Sequence, residues 1–323
     1  MKSDTIVVTG ANGQIGTELV SALRAKGHRV IATDLRVSDK NDSFAERDFE
    51  VLDVLNKDAL SSVFQKYKPA QVYHLAALLS AKAEQNPQLA WDVNMKGLLN
   101  ILDCSVASQV GKVFYPSTIA VFGSTSPRVN TPQQTVTEPG TIYGISKLAG
   151  ERWCEYYFNH KGLDVRSVRY PGLVSYKTKA GGGTTDYAVD IFFQALESKK
   201  YACYLSEDTT LPMMYMPDAI AGTIQLMEAP LENIKIRSGY NLAAFSFSPE
   251  QIATAIQKYL PDFQISYAPD FRQQIAESWP QSIDDSFARN DWGWAPQFSL
   301  EQMVKDMLEN IAKNETFSNQ LSV

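Results

Sequence analysis

Cysteine is scarce in this chain: among 323 residues only Cys104, Cys154 and Cys203 carry a thiol, and no two of them form a CxxC pair. An odd, scattered set does not build a disulfide framework, and it fits a reducing compartment. Histidine is equally scarce, at three residues, so no Cys/His set of the kind that holds zinc is present and no metal is expected. There is no run of Lys or Arg and the net charge is −6, so nucleic acid is not an expected partner. No apolar stretch approaches the length that spans a membrane, which excludes a membrane partner of that kind. The strand-like Thr5-Ile6-Val7-Val8 follows Met1 too closely for a signal peptide to precede it. A cytoplasmic globular protein is expected, with a core large enough to need no staples.

What is present alternates. Short apolar runs at Ile6–Val8, Val30–Thr33, Gln71–Leu75, Val113–Tyr115 and Val165–Arg169 read as buried parallel strands. Helical patterns lie between them; Ile15, Leu19 and Leu23 recur at spacings of four on the first. Strands alternating with helices predict an α/β fold, a Rossmann-type doubly wound parallel sheet. After Tyr170-Pro171-Gly172 the texture changes. Residues 176–186 (YKTKAGGGTTD) are polar and Gly-rich and read as a loop, and the remainder mixes helices such as Pro249–Tyr259 with isolated strands. The expected division is a nucleotide-binding domain over 1–172, joined by some later strands, and a smaller, discontinuous C-terminal substrate-binding lobe over 173–323.

The first strand runs into Thr9-Gly10-Ala11-Asn12-Gly13-Gln14-Ile15-Gly16, which opens the first helix. Glycines let the backbone turn tightly and approach a pyrophosphate, and the helix N-terminus offers free N–H groups at the positive end of its dipole. The position after a strand and before an amphipathic helix is the context this motif needs. Asp34 closes the second strand, where a carboxylate accepts hydrogen bonds from the adenosine ribose hydroxyls and repels a 2′-phosphate. NAD is therefore the expected cofactor, with Arg36 the one dissenting residue. His74 closes the fourth strand and reads as a structural histidine. The small Ala76 and Ala77 after Leu75 let a dinucleotide lie close.

Tyr143-Gly144-Ile145-Ser146-Lys147 places a phenol and an ammonium four residues apart, on one helix face. A neighbouring cation favours the phenolate, so Tyr143 is expected to titrate below its free value of about 10 and to act as a base. Lys147 also has the reach to meet the nicotinamide ribose. The Gly-rich turn spaced GxxGxxG, the Tyr143/Lys147 pair and Ser117-Thr118-Ile119-Ala120-Val121-Phe122-Gly123 together resemble the extended short-chain dehydrogenases and reductases, typified by sugar-nucleotide epimerases. That resemblance implies Thr118 as the catalytic hydroxyl beside Ser117. It places Asp53 and Val54, at the end of the third strand, against the adenine. It brings the backbone of Tyr170, Gly172 and Leu173 to the nicotinamide carboxamide. It also implies a homodimer built on helices around 90–107 and 144–158. Leu98, Leu99, Leu102, Trp153 and Tyr157 on those helices read equally as intramolecular core. Asn94, on the first of them, is not read as catalytic.

Most extended relatives hold a nucleotide-sugar diphosphate with an arginine in a segment resembling RDYIHVDD. Here the segment reads Leu211-Pro212-Met213-Met214-Tyr215-Met216-Pro217-Asp218. Leucine cannot hold a diphosphate, for which the arginine fork is the usual choice. The strings YPSTIAVFG, YPGLVSY, AGGGTTDYAVDIF and LPMMYMPD are similar to the short-chain type of L-threonine 3-dehydrogenase over about two thirds of the chain. The resemblance implies NAD-dependent oxidation of the L-threonine β-hydroxyl to 2-amino-3-oxobutyrate. A zwitterionic amino acid needs donors for its carboxylate and an acceptor for its ammonium. Ser80, Thr184, Thr185 and the Gly181–Gly183 amides are candidates for the first task and Asp186 for the second, with Ser117, beside Thr118, a further candidate for substrate binding. A sugar-nucleotide epimerase or dehydratase, or an NAD sensor without turnover, is the alternative reading. Leu211 argues against the first, and an intact Tyr143, Lys147 and Thr118 against the second.

Overall fold

The computed structural model describes residues 4–37, 48–177, 181 and 183–320, with side chains as far as residue 313. Lys179 and Gly182, both in the Gly-rich segment, lie outside the described residues. In chain order the strands are β1 (Thr5–Thr9), β2 (Arg29–Asp34), β3 (Phe49–Val51), β4 (Gln71–His74), β5 (Lys112–Thr118), β6 (Asp164–Tyr170), β7 (Gly172–Val174), β8 (Lys200–Cys203), β9 (Leu211–Tyr215), β10 (Tyr240–Asn241), β11 (Phe245–Phe247) and β12 (Gln264–Tyr267).

Seven of them form one sheet in the order β10-β6-β5-β4-β1-β2-β3, and every pairing in it is parallel. The central strands are apolar on both faces because helices cover both: Ile6, Val7 and Val8 of β1 are fully buried, as are Val30, Ile31 and Ala32 of β2. The chain winds outward from β1 through β2 to β3, then crosses back to β4 and winds the other way. The sheet is therefore a doubly wound Rossmann-type α/β fold, with its switch point between β1 and β4, where such sheets open a crevice at their carboxyl ends. A late strand, β10, joins the edge beside β6.

The first helix, Gln14–Ala25, buries Leu19 and Leu23. The long helix Ile142–Lys161 starts at Thr141, whose side chain accepts from the Gly144 N–H, and ends at Gly162 in the left-handed region. The helical stretch expected around 90–107 is broken: Pro87–Trp91 and Gly97–Ala107 are α-helical, and Asp92–Lys96 between them is a π turn. Leu98, Leu102 and Tyr157 are buried in one cluster with Val113 and Val165 of the sheet, so they are core rather than free surface.

Two small sheets lie over the strand ends, β11-β9-β7 and the parallel pair β12-β8. They pack on Tyr187–Glu197, Pro249–Gln257 and the C-terminal helix around a separate apolar cluster that contains Tyr187, Phe192, Phe247 and Met303. Among the described residues no helix is long and apolar enough to cross a membrane.

Candidate active site

A cleft of about 240 Å³ runs along the carboxyl ends of β1, β4, β5 and β6. One end is the glycine turn. Gly10 has φ +68°, and a Cβ on it would come within 2.7 Å of the Ala76 amide. A Cβ on Gly16 would strike the Gly10 carbonyl and come within 2.8 Å of Ala11. Only glycine permits this approach of turn, helix and β4 loop. The helix Gln14–Ala25 has Gly13 at its cap position, no side chain capping it and no acid in its first turn. Its first N–H groups and dipole therefore face the cleft free for an anion, as a dinucleotide pyrophosphate requires. Gly10, Gly13, Gln14, Ile15, Gly16, Leu75 and Ala77 all line this end.

Asp34 closes β2 beside the turn. Its carboxylate accepts from the Asn12 N–H at 2.9 Å and from the Leu35 N–H at 2.8 Å, and the Asn12 side chain donates to the Arg36 carbonyl at 2.7 Å. Asn12 thus locks the β2 end to the glycine turn. Asp53 and Val54 follow β3 rather than ending it, because pairing with β2 stops at Val51. The Asp53 carboxylate takes the Leu55 N–H at 2.9 Å, while Val54 is buried against Gly97. Asn12, Asp34, Asp53, Val54 and Ala76 do not line the cleft itself. His74 is buried and bonded to the Thr9 hydroxyl at 2.8 Å, and burial depresses its pKa to about 3, so it stays neutral.

Thr118, Tyr143 and Lys147 meet in the middle of the cleft. Thr118 ends β5; its hydroxyl accepts from the Ala120 N–H at 3.2 Å and favours the ionised form of the Tyr143 phenol. Lys147 donates to the Pro116 carbonyl at 2.8 Å and stands 4.6 Å from the Tyr115 ring centre and 5.8 Å from that of Tyr143. The expected acidity of the phenol needs correction. Burial pushes Tyr143 up to about 12, with only the Thr118 hydrogen bond opposing it. Burial also lowers Lys147 to about 8. Desolvation outweighs the cation because the ammonium is directed at a carbonyl and not at the phenol oxygen.

Ser117 lines the cleft but its hydroxyl donates 2.6 Å to the buried Glu151 carboxylate. Glu151 in turn receives Arg169 through two bonds, 2.8 and 2.7 Å. Arg169 also donates to the Gln133 carbonyl and to Asn241 of β10. This network was missed at the sequence level, although Glu151 stands four residues after Lys147 on the same helix face. Asn94, inside the π turn, clamps the Leu78 backbone through both its amide atoms and donates to Ser146.

The far end of the cleft is formed by Ser80, Gly183, Thr184, Thr185, Asp186, Gly172, Leu173 and, unforeseen, Trp279. Trp279 comes from a loop more than a hundred residues beyond Lys147, and no local pattern marks it. The Thr184 hydroxyl is buried and has no hydrogen-bond partner among the described residues. Asp186 closes the turn by accepting from the Gly183 N–H at 2.6 Å. The Thr185 side chain lies where a Cβ on Gly172 would be, 2.9 Å away, so β7 and the threonine pair pack without room for a larger residue. Tyr170 turns its hydroxyl away, to Thr223. Leu211, at the position where related enzymes keep an arginine, is fully buried opposite Phe247 and does not reach the cleft.

Residues 6–243 match the NAD dependent epimerase/dehydratase family. The chain belongs to that family: it is an NAD-dependent oxidoreductase. A Staphylococcus haemolyticus protein described as an uncharacterized epimerase/dehydratase is 47% identical, over 97% of this chain and 99% of the relative. Among solved structures, a GalE-like L-threonine dehydrogenase from Cupriavidus necator in its holo form is 52% identical with a TM-score of 0.92, covering 95% of this chain and 99% of that one. A monomeric L-threonine 3-dehydrogenase of metagenomic origin is 46% identical with a TM-score of 0.92, covering 95% and 99%.

Proposed function

We propose that this chain oxidises the β-hydroxyl of L-threonine, forming 2-amino-3-oxobutyrate with NADH and a proton. The observation that carries the reading is the burial of Leu211 in the apolar core beside a cleft end lined by small hydroxyls. A diphosphate buried without a paired cation is prohibitively unstable, whereas one carboxylate is served by the Thr184 and Thr185 hydroxyls and Ser80. Asp186 and Ser117 are the acceptors assigned to the ammonium. The substrate carbinol lies between Thr118 and Tyr143. Thr118 holds the oxygen and Tyr143 takes its proton. NAD, when bound, supplies the hydride acceptor for Cβ and a positive ring near the phenol. Lys147, held by Pro116, is placed to meet the ribose, and the backbone around Tyr170, Gly172 and Leu173 frames the reacting end. Asp34, Asn12, Asp53, Val54 and Ala76 serve the adenosine.

On this reading residues 1–172 with β10 form the cofactor domain and the rest of 173–323 the substrate lobe. A cytoplasmic setting is supported by three cysteines that are all buried and free. The test is NAD+ reduction with L-threonine, L-allo-threonine, L-serine and UDP-galactose. NADH formation with threonine and none with UDP-galactose is expected; turnover of the nucleotide sugar, or silence with threonine between neutral pH and 10, overturns the reading.

A further inference from the structure

A hydroxyl offers one proton and two lone pairs. The Ser117 proton is already placed, 2.6 Å from a Glu151 oxygen that is itself fully buried. Arg169 grips both oxygens of that carboxylate and so fixes it against Ser117. Three elements converge here: the end of β5, the end of β6 and the helix that carries Tyr143 and Lys147. The strand register sets Ser117 opposite Arg169 and Thr118 opposite Tyr170. Gly239 leaves room for the arrangement, since a Cβ there would come within 3.0 Å of the Glu151 carboxylate. Ser117 thus presents only lone pairs to the cleft, one residue from the hydroxyl of Thr118.

We propose that Glu151 is a positioning residue that sets substrate specificity: by taking the Ser117 proton it makes that serine an obligate hydrogen-bond acceptor, and so selects alcohols that carry an ammonium group beside the reacting carbinol. The inference rests on the threonine reading above. A carboxylate at that spot meets only lone pairs, while an ammonium finds its partner. The arginine holds the carboxylate toward Ser117 by bonding both its oxygens, and it does not itself line the cleft.

The experiment compares kcat/KM for L-threonine with that for (R)-3-hydroxybutyrate, which has the same carbinol and carboxylate and lacks only the amino group. Three variants are measured beside the wild type: Ser117→Ala, the pair Glu151→Met with Arg169→Met, and all three substitutions together. The paired change leaves no unpaired buried charge, which is what unfolds a protein when one partner of such a bridge is removed. Each is expected to reduce the preference for threonine by about tenfold or more, the value of one hydrogen bond to a charged group, mainly through the threonine KM. The triple variant loses no more than Ser117→Ala alone, because one interaction is being removed twice. A purely structural bridge instead lowers the melting temperature and leaves the preference unchanged, and that result overturns the proposal. Should the Met pair not fold, an unchanged preference in Ser117→Ala overturns it by itself. A wild type that forms no NADH from threonine sinks the threonine reading and this proposal with it; an active wild type with additive variants sinks this proposal alone.

Discussion

Tyr143 is a poor base in the unliganded protein, since burial holds its pKa near 12. Its deprotonated fraction grows as pH rises, so kcat/KM for threonine is expected to climb from neutral pH toward 10. Tyr143→Phe should cut turnover about 10²–10⁴-fold with NAD affinity, read by calorimetry, nearly intact; a variant keeping more than half the wild-type rate removes the phenol from the mechanism. Lys147 titrates in the opposite sense, from 10.5 down to about 8. Between those values the unfolded chain holds a proton that the folded one has released, so folding stability rises with pH across that window. The stability of the wild type relative to Lys147→Met should therefore increase from pH 8 to about 10, as followed by urea unfolding without NAD. Asp34 belongs at this scale too. On the proposed reading Asp34→Ser removes the carboxylate that would oppose a 2′-phosphate, so the NADP/NAD ratio of kcat/KM should rise; an unchanged ratio takes Asp34 off the ribose.

The glycine turn works as an element. Gly10, Gly13 and Gly16 serve one purpose, which is to bring the uncapped start of Gln14–Ala25 against β4. Gly16→Ala drives a methyl into the Gly10 carbonyl and Ala11, displacing the turn, and NAD affinity by fluorescence titration should fall at least about tenfold while far-UV circular dichroism changes little. Retained affinity means that the turn relaxes without cost. The π turn Asp92–Lys96 is a second such element. It points Asn94 at the Leu78 backbone, which shapes the wall just before Ser80. A regular helix would carry Asn94 to another face, and π turns recur at functional sites for this reason.

For the whole molecule the open matter is assembly. The two helices expected to pair bury most of their apolar side chains inside one chain, yet Trp91, Ile145, Trp153 and Tyr156 remain 37%, 44%, 39% and 43% exposed. We infer a homodimer through this face, against the example of the monomeric relative. Sedimentation at micromolar concentration should give twice the chain mass for the wild type and one chain mass for Trp153→Asp; a wild-type monomer rejects the inference.

By itself the chain's sequence determined the doubly wound sheet, the glycine turn before the first helix and the Tyr143/Lys147 pair, because strand period, helix period and turn chemistry are local and each is read within a dozen residues. It also pointed to Leu211, since replacing a charged residue by an apolar one changes chemistry at a single position. Tertiary structure alone decided the rest. Trp279 reaches the cleft through a loop with no local signature. Ser117 turns its proton to Glu151, a carboxylate 34 residues away in the chain. The rise of the Tyr143 pKa reverses a charge argument that looked only along one helix. In each case the deciding quantity is burial or a contact between distant segments, and neither is written in the spacing of neighbours.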